Sequence, residues 1–431
     1  MNLDDALFRR ESTRLVAALA RAFGVHRLAL IEDAVQETLT RAYQSWSFSS
    51  VPAHHSALLM TSARNRVLDA LRHERAVRNL APELQHRAEE SEEPEVIHEE
   101  LFLPAALRDN ELRMMFTCCN PRVPEDVQVA LILSLLCGFG AGEIAGAFLV
   151  TEAAVAKRLS RGKSALAKSR RLFDLEASDF GARLEVVHRA LYLLFSEGYH
   201  GAGVHAVLRP DLCTEALRLV RLLAERPPGT TPATHALAAL MCLHAARIPA
   251  RLDGDGELLD LFAQDRSSWD PALIDEGLLH LEQSASGENL TRYHLEAAIA
   301  AHHALAADAG QTRWTEILHL YDQLLRLEPS PVVALNRAIA LAQVEGPEAG
   351  LQALRAVPDS DRLAHYPFYP AALGELELRR GNLEEARLQL RAAHELARND
   401  GERRFLLRRI AQCTSLGGAG SPKQRLNRAA P

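Results

Sequence analysis

Aromatic residues make up only 5% of the 431 residues, and β-branched residues nowhere gather into runs. Sheet cores draw on both kinds of side chain, so their scarcity excludes a β-rich fold. Alanine, leucine, arginine and glutamate dominate instead, and the expected class is all-α. Six cysteines (Cys118, Cys119, Cys137, Cys213, Cys242, Cys413) contain no C-x-x-C pair, which excludes a disulfide framework or a zinc ribbon and fits a reducing cytoplasm. No apolar run reaches the roughly 18 residues of a membrane span. The opening MNLDDALFRRES puts acids where a signal peptide needs a basic start. The expectation is a soluble, cytoplasmic chain of two or three domains that does not associate with membranes.

The net charge is −7, so affinity for nucleic acid has to reside in local segments. One such segment is GEIAGAFLVTEAAVAKRLSRGKSALAK (142–168), which reads as a helix-turn-helix. Thr151 is placed to cap the second helix, Glu152 suits its first turn, and Val155 and Leu159 fall on one inner face. Seven basic residues against one acid lie between Thr151 and Arg171, among them Lys157, Arg158, Arg161 and Lys163. This is the electrostatic footprint of a helix set on phosphates. The bland alternative is a solvated basic face.

Upstream, helical spacing predicts helices over 7–24, 28–46 and 54–78. On the second, Asp33, Gln36, Glu37 and Arg41 share a polar stripe opposite Ile31, Val35 and Leu39. The third carries Arg64, Asn65, Asp69 and Arg72 in a second basic face, preceded by a loop with Phe48. From Ala81 to Pro104 there are eight glutamates and one arginine, which reads as a flexible acidic linker.

The order IEDAVQETLTRAYQSW, TSARNRVLDALRHER and then the helix-turn-helix resembles an extracytoplasmic-function sigma factor, group IV of the sigma-70 family. The resemblance implies that residues 1–78 are sigma domain two, 79–104 a linker and 105–172 sigma domain four. It further implies core RNA polymerase and promoter DNA as partners. Asp33, Gln36, Glu37 and Arg41 would then bind core polymerase. Phe48, Arg64, Asn65, Asp69 and Arg72 would engage the minus-ten element, and Thr151, Glu152, Lys157, Arg158, Arg161 and Lys163 the minus-thirty-five element. Leu58 stands where family members commonly carry Trp, which leaves Phe48 and Trp46 as the nearest aromatics for base stacking.

A typical member stops near Leu172, yet this chain continues for some 250 residues. Amphipathic segments at 183–203, 210–226, 235–250, 270–285 and 293–308 follow, the first of them interrupted at Gly198. Ala338, Gly350 and Leu354 recur as Gly374, Ala386 and Leu390, each 36 residues later. Small residues of this kind let paired helices approach, so residues 180–413 read as tetratricopeptide-like helix pairs, followed by a flexible tail at 414–431. LLFSEGYHG, RPDLCTEALRL and QDRSSWDPALI look like segments of the long extension found in one subgroup of these sigma factors. That likeness implies a regulatory extension, with a concave surface for a peptide or protein partner.

Enzyme chemistry finds little support, and the expectation is no catalytic residue, no metal and no cofactor. His188, Glu197, His200 and His205 lack a tight ligand spacing. Gly162-Lys163-Ser164 lacks the first glycine and the preceding strand of a phosphate loop. Asp253, Asp255 and Glu257 lack the twelve-residue pattern of a calcium loop and read as turn residues. The alternative function is a one-component regulator in which the helix-turn-helix binds an operator and the repeats act as sensor. It leaves the 31–46 stripe, the second basic helix and the acidic linker without a purpose.

Overall fold

The computed structural model describes residues 5–47, 50–79, 104–120, 123–148, 150–168, 177–200, 208–227, 229–254, 256–358 and 360–418. Among these residues the regular structure is eighteen α-helices, with one isolated β-bridge between Leu252 and Leu258. The chain divides into two units, Met1–Leu194 with Glu225–Gly229, and Phe195–Ala224 with Thr230–Pro431.

In the first unit, α1 (Asp5–Phe23) buries Leu15, Val16, Leu19, Ala20 and Phe23, spaced to fall along one face. Gly24 ends it at φ +86°, a conformation that favours glycine. A single 3-10 turn leads into α2 (Leu28–Trp46), which keeps the predicted bounds, and α3 (His55–Asn79) follows. Both pack on α1 and on each other. α4 (Pro104–Cys118) also lies on α1, where Arg21 Nη1 donates to Asn110 Oδ1 over 2.7 Å and Arg14 sits between Glu11 and Glu111 at 3.6 and 3.4 Å. Helices expected in separate domains therefore share one packed unit. The acidic stretch between α3 and α4 (80–103) lies outside the described residues.

α5 (Glu125–Leu135) is buried on every side from Val127 to Leu133, as a helix apolar all round must be. α6 (Ala141–Phe148) and α7 (Glu152–Ala167) pack against it and each other. α8 (Ala177–His200) places Val187, Ala190 and Leu191 in the core of this unit, with Arg183 Nη1 donating to the Phe116 carbonyl at 3.1 Å. The predicted interruption at Gly198 does not occur. A Cβ there would lie 2.8 Å from Arg209 O, Cys213 Sγ and Leu212 Cβ, so the glycine admits the start of α9 (Pro210–Ala224) against an unbroken helix.

In the second unit α10 (Pro232–Ala245) is the central helix, buried from Ala236 through Leu243 and surrounded by α9, α11 (Pro271–Ser284) and α12 (Arg292–Ala304). Beyond it α13 (Trp314–Leu327), α14 (Pro331–Val344), α15 (Pro347–Arg355), α16 (Phe368–Arg379), α17 (Leu383–Leu396) and α18 (Asp400–Gly418) each pack on the preceding helix. Proline opens α10, α11, α14 and α15, where its missing N–H costs nothing. The 36-residue correspondence has a packing meaning. Gly350 faces Ala342 and the Ala338 carbonyl, Gly374 brings α16 onto Leu390, and Ala338, Leu354, Ala386 and Leu390 are fully buried. α18 runs on to Gly418, into the stretch expected to be a flexible tail, and Thr414 and Ser415 return hydroxyl hydrogen bonds to Ile410 and Gln412. Residues 419–431 lie outside the described ones. All six cysteines are buried and outside any disulfide, and burial pushes the thiols of Cys118, Cys213 and Cys242 up to about 12.

Candidate nucleic-acid interface

The α6–α7 pair is built around one inner face. Val155, Leu159, Gly162 and Leu166 are buried at helical spacing, and at Gly162 a Cβ would come within 2.8 Å of Val127 Cγ1 and 2.9 Å of Leu131 Cδ1 on α5. Gly162 thus belongs to the core side of α7. Thr151 caps the helix, its Oγ1 accepting from the Ala154 amide at 3.3 Å, and Glu152 sits in the first turn, where the helix dipole favours a carboxylate. Thr151, Glu152, Lys157 and Arg161 are exposed. The other two predicted contacts are already engaged: Arg158 pairs with Asp126 at 3.1 Å, and Lys163 with Glu32 at 2.7 Å. Glu32 is on α2, so this bridge ties the helix-turn-helix to the first helices of the same unit.

On α2, Asp33, Gln36, Glu37 and Arg41 are all exposed, while Ile31 and Val35 are buried on the opposite side. Glu37 accepts from Arg66 of α3 at 2.5 Å and from Arg41 at 2.6 Å. The Arg66 hydrogen bond, together with the nearby guanidinium charge, holds its carboxyl below the usual carboxylate range. Between α2 and α3 lies a groove of about 770 Å³ whose walls include Asp33, Glu37, Arg66 and Glu74. Arg66, not among the residues expected to bind core polymerase or the minus-ten element, is therefore a member of this surface.

Along α3, Asn65 is exposed, Arg64 is half-buried, and Asp69 pairs with Arg72 at 3.0 Å. Phe48 lies outside the described residues. Trp46 is not available for stacking, because it is 8% exposed and packed against Phe8 and His55 with ring centroids 5.7 and 6.3 Å away. The accessible apolar groups nearby are Tyr43, 50% exposed, and Leu58, 55% exposed. Tyr43 continues the apolar side of α2 one turn past Leu39, a position that reads as core. In the fold it lies at the rim.

Among the described residues no group of three or more His, Cys, Asp or Glu side chains is arranged to hold an ion. Asp253 accepts from the Glu257 amide at 2.8 Å, and Arg408 lies 3.5 Å from Asp253 and 2.6 Å from Glu257, so these acids serve a turn and an ion pair. His205 and Asp255 are outside the described residues.

Residues 8–77, spanning most of α1 through α3, match the model of Sigma-70 region 2, and residues 113–166, from within α4 through α7, match that of Sigma-70, region 4. The chain carries both sigma-70 regions. Residues 183–285 match a family of unknown function, DUF6596, which covers α8 through α11. The pair of regions gives it a sigma-factor role in transcription initiation, with core RNA polymerase and promoter DNA as the partners that role implies. A relative along nearly its whole length is an uncharacterized protein of Rhizobium meliloti (strain 1021), 37% identical over 398 residues that cover 91% of this chain and 93% of that one. The sigma regions and the extension thus recur together in a second protein. No described helix of this chain is long and apolar enough to cross a membrane.

Proposed function

We propose that this chain is an alternative sigma factor of the extracytoplasmic-function subgroup, acting in the cytoplasm, with a tetratricopeptide-like C-terminal extension that regulates it. The observation that carries the reading is the exposed α2 stripe of Asp33, Gln36, Glu37 and Arg41, held in the same unit as the helix-turn-helix. A lone operator-binding regulator has no use for that stripe. A sigma factor needs it to dock on core polymerase. Asn65, Arg64, Asp69 and Arg72 on α3 then meet the opened minus-ten strand, with Phe48 on the loop before it. A base leaving the duplex stack costs a few kcal/mol, which these contacts and the polymerase offset together. The exposed start and outer face of α7 supply Thr151, Glu152, Lys157 and Arg161 to the minus-thirty-five groove. Arg158 and Lys163 join them once Asp126 and Glu32 release them.

The helix pairs from α14 to α17, with their glycine and alanine contacts, support the tetratricopeptide-like assignment of the extension, whose partner would be a peptide or protein. Asp33→Arg is expected to abolish co-purification with core polymerase while the circular dichroism and melting temperature stay those of the parent. Retained co-purification would remove the docking role. Run-off transcription with core polymerase, comparing the full chain with one ending at His200 so that α8 stays whole, tests the extension. Different yields from the two chains support regulation, and equal yields refute it. Operator binding without polymerase, together with no transcription from either chain, would instead favour the one-component regulator.

A further inference from the structure

Within the second unit, the ends of α8, α10 and α12 and the segment before α11 converge on cations with no bonded counter-charge. Arg247 donates to Gln264 Oε1 at 3.3 Å, and Arg251 donates to the Tyr199 carbonyl. Arg266 donates to the carbonyls of His303 and Ala306 at 2.8 and 2.7 Å and to Thr312 Oγ1 at 3.1 Å. Every one of these acceptors is neutral. Among the described residues none of the three guanidiniums is paired with a carboxylate, and Asp308 acts on Arg266 only at a distance.

Aromatic and imidazole groups knit the cluster together. Arg251 lies 4.0 Å from the centre of the Tyr199 ring, which is 5.1 Å from the rings of both His200 and His244. Arg247 and Arg266 stand 5.3 and 5.2 Å from the Trp269 ring. In the midst of this, Tyr199 Oη, Trp269 Nε1, His244 Nδ1 and His303 Nδ1 are buried without a hydrogen-bond partner among the described residues, and Tyr199 and Trp269 are 5% and 4% exposed. Arg247, Arg251 and Arg266 are half-buried. Buried polar groups are ordinarily paired, and cations withdrawn from solvent are ordinarily balanced by a counter-charge, so the two together mark a place that suits a ligand. The hydroxyl and the indole can donate, as can either imidazole in the appropriate tautomer. His200, beside the Tyr199 ring, is exposed, so the cluster is open to solvent on that side.

We propose that this cluster binds a small molecule through a carboxylate or phosphate group, with Arg247, Arg251 and Arg266 as charged forks and Tyr199 Oη and Trp269 Nε1–H as neutral donors. Arginine suits the task because its planar fork matches both oxyanions. A duplex phosphate backbone fits less well, since the tyrosine and indole donors are too deeply buried for it to reach. The site lies in the segment matched by DUF6596, extended to His303 on α12, and the inference does not depend on the sigma reading.

The test is isothermal titration calorimetry on the full chain in a buffer free of phosphate, sulfate and carboxylates, with pyrophosphate and citrate as separate probes. Saturable binding of one molecule per chain is expected for at least one probe, and the one that binds tells phosphate from carboxylate. Arg251→Gln is expected to weaken that binding about tenfold or more. Tyr199→Phe removes only the unpartnered oxygen, so it should weaken binding several-fold while the melting temperature without ligand stays the same or rises. Should Arg251→Gln fail to fold, Tyr199→Phe decides. The proposal is overturned if neither probe binds at millimolar concentration, or if the affinity of Tyr199→Phe equals that of the parent.

Discussion

Gly162 and Gly198 both sit in ordinary helical conformation, so their value lies in what they let come close. At Gly162 the neighbours of an added Cβ are the tips of Val127 and Leu131, side chains that can turn aside. At Gly198 one of them is the Arg209 carbonyl, backbone that is held in place: it accepts from the Leu212 and Cys213 amides at 3.0 and 3.4 Å, and the Arg209 amide donates to the Gly198 carbonyl at 2.8 Å. Replacing a helical glycine by alanine gains about 1 kcal/mol of helix propensity, while overpacking costs about 1–3 kcal/mol. Gly162→Ala should therefore be close to neutral and Gly198→Ala clearly destabilising, as read from urea unfolding midpoints. Equal midpoints for Gly198→Ala and the parent would show that the α8–α9 approach is not tight. The same residue shows where sequence reading fails. A glycine near the end of an apolar helix has the local look of a stop, and the group that explains it, the Arg209 carbonyl, lies eleven positions away, just before the next helix.

At the scale of elements, the helices were legible wherever a strong apolar period met a clear punctuation mark. α2 begins and ends where the pattern places it, and Thr151 caps α7 as its position predicts. What periodicity could not supply is which polar group on one helix finds which on another. Glu32 and Lys163 are 131 residues apart, and the orphaned tyrosine, indole and imidazoles of the second unit are scattered over a hundred positions. The consequence is sharpest for α7. Half-exposed bridges such as Glu32–Lys163 are worth about 0.2–1 kcal/mol, so this one can open without unfolding the unit. Glu32→Gln should leave stability within about 1 kcal/mol of the parent and tighten holoenzyme binding to promoter DNA a few-fold, because Lys163 no longer has to leave a carboxylate. Lys163→Gln should lower the slope of log affinity against log salt by about 1. An unchanged slope would remove Lys163 from the phosphate contacts.

For the whole molecule, a net charge of −7 hides an uneven distribution, with the basic α7 in one unit and the uncompensated arginines in the other. Stability should respond to pH through groups buried neutral. Burial lowers His188 from its ordinary 6.5 to about 4, so between these values the unfolded chain binds the extra proton and the folded one does not. Stability of the first unit is therefore full above pH 6.5 and falls as pH drops toward 4, by about 2 kcal/mol between pH 7 and 5 for this histidine alone. Urea titrations of the parent and His188→Gln at the two pH values should show a smaller difference in the variant; an equal difference would assign the acid sensitivity elsewhere. The six buried cysteines offer a way to watch the two halves separately. Cys118, Cys119 and Cys137 fall in one unit, and Cys213, Cys242 and Cys413 in the other. A thiol reagent can reach each trio only when its own unit opens. Peptide mapping of labelled thiols over time then serves as a pair of clocks, and a ligand for the arginine cluster should slow the second while leaving the first to run.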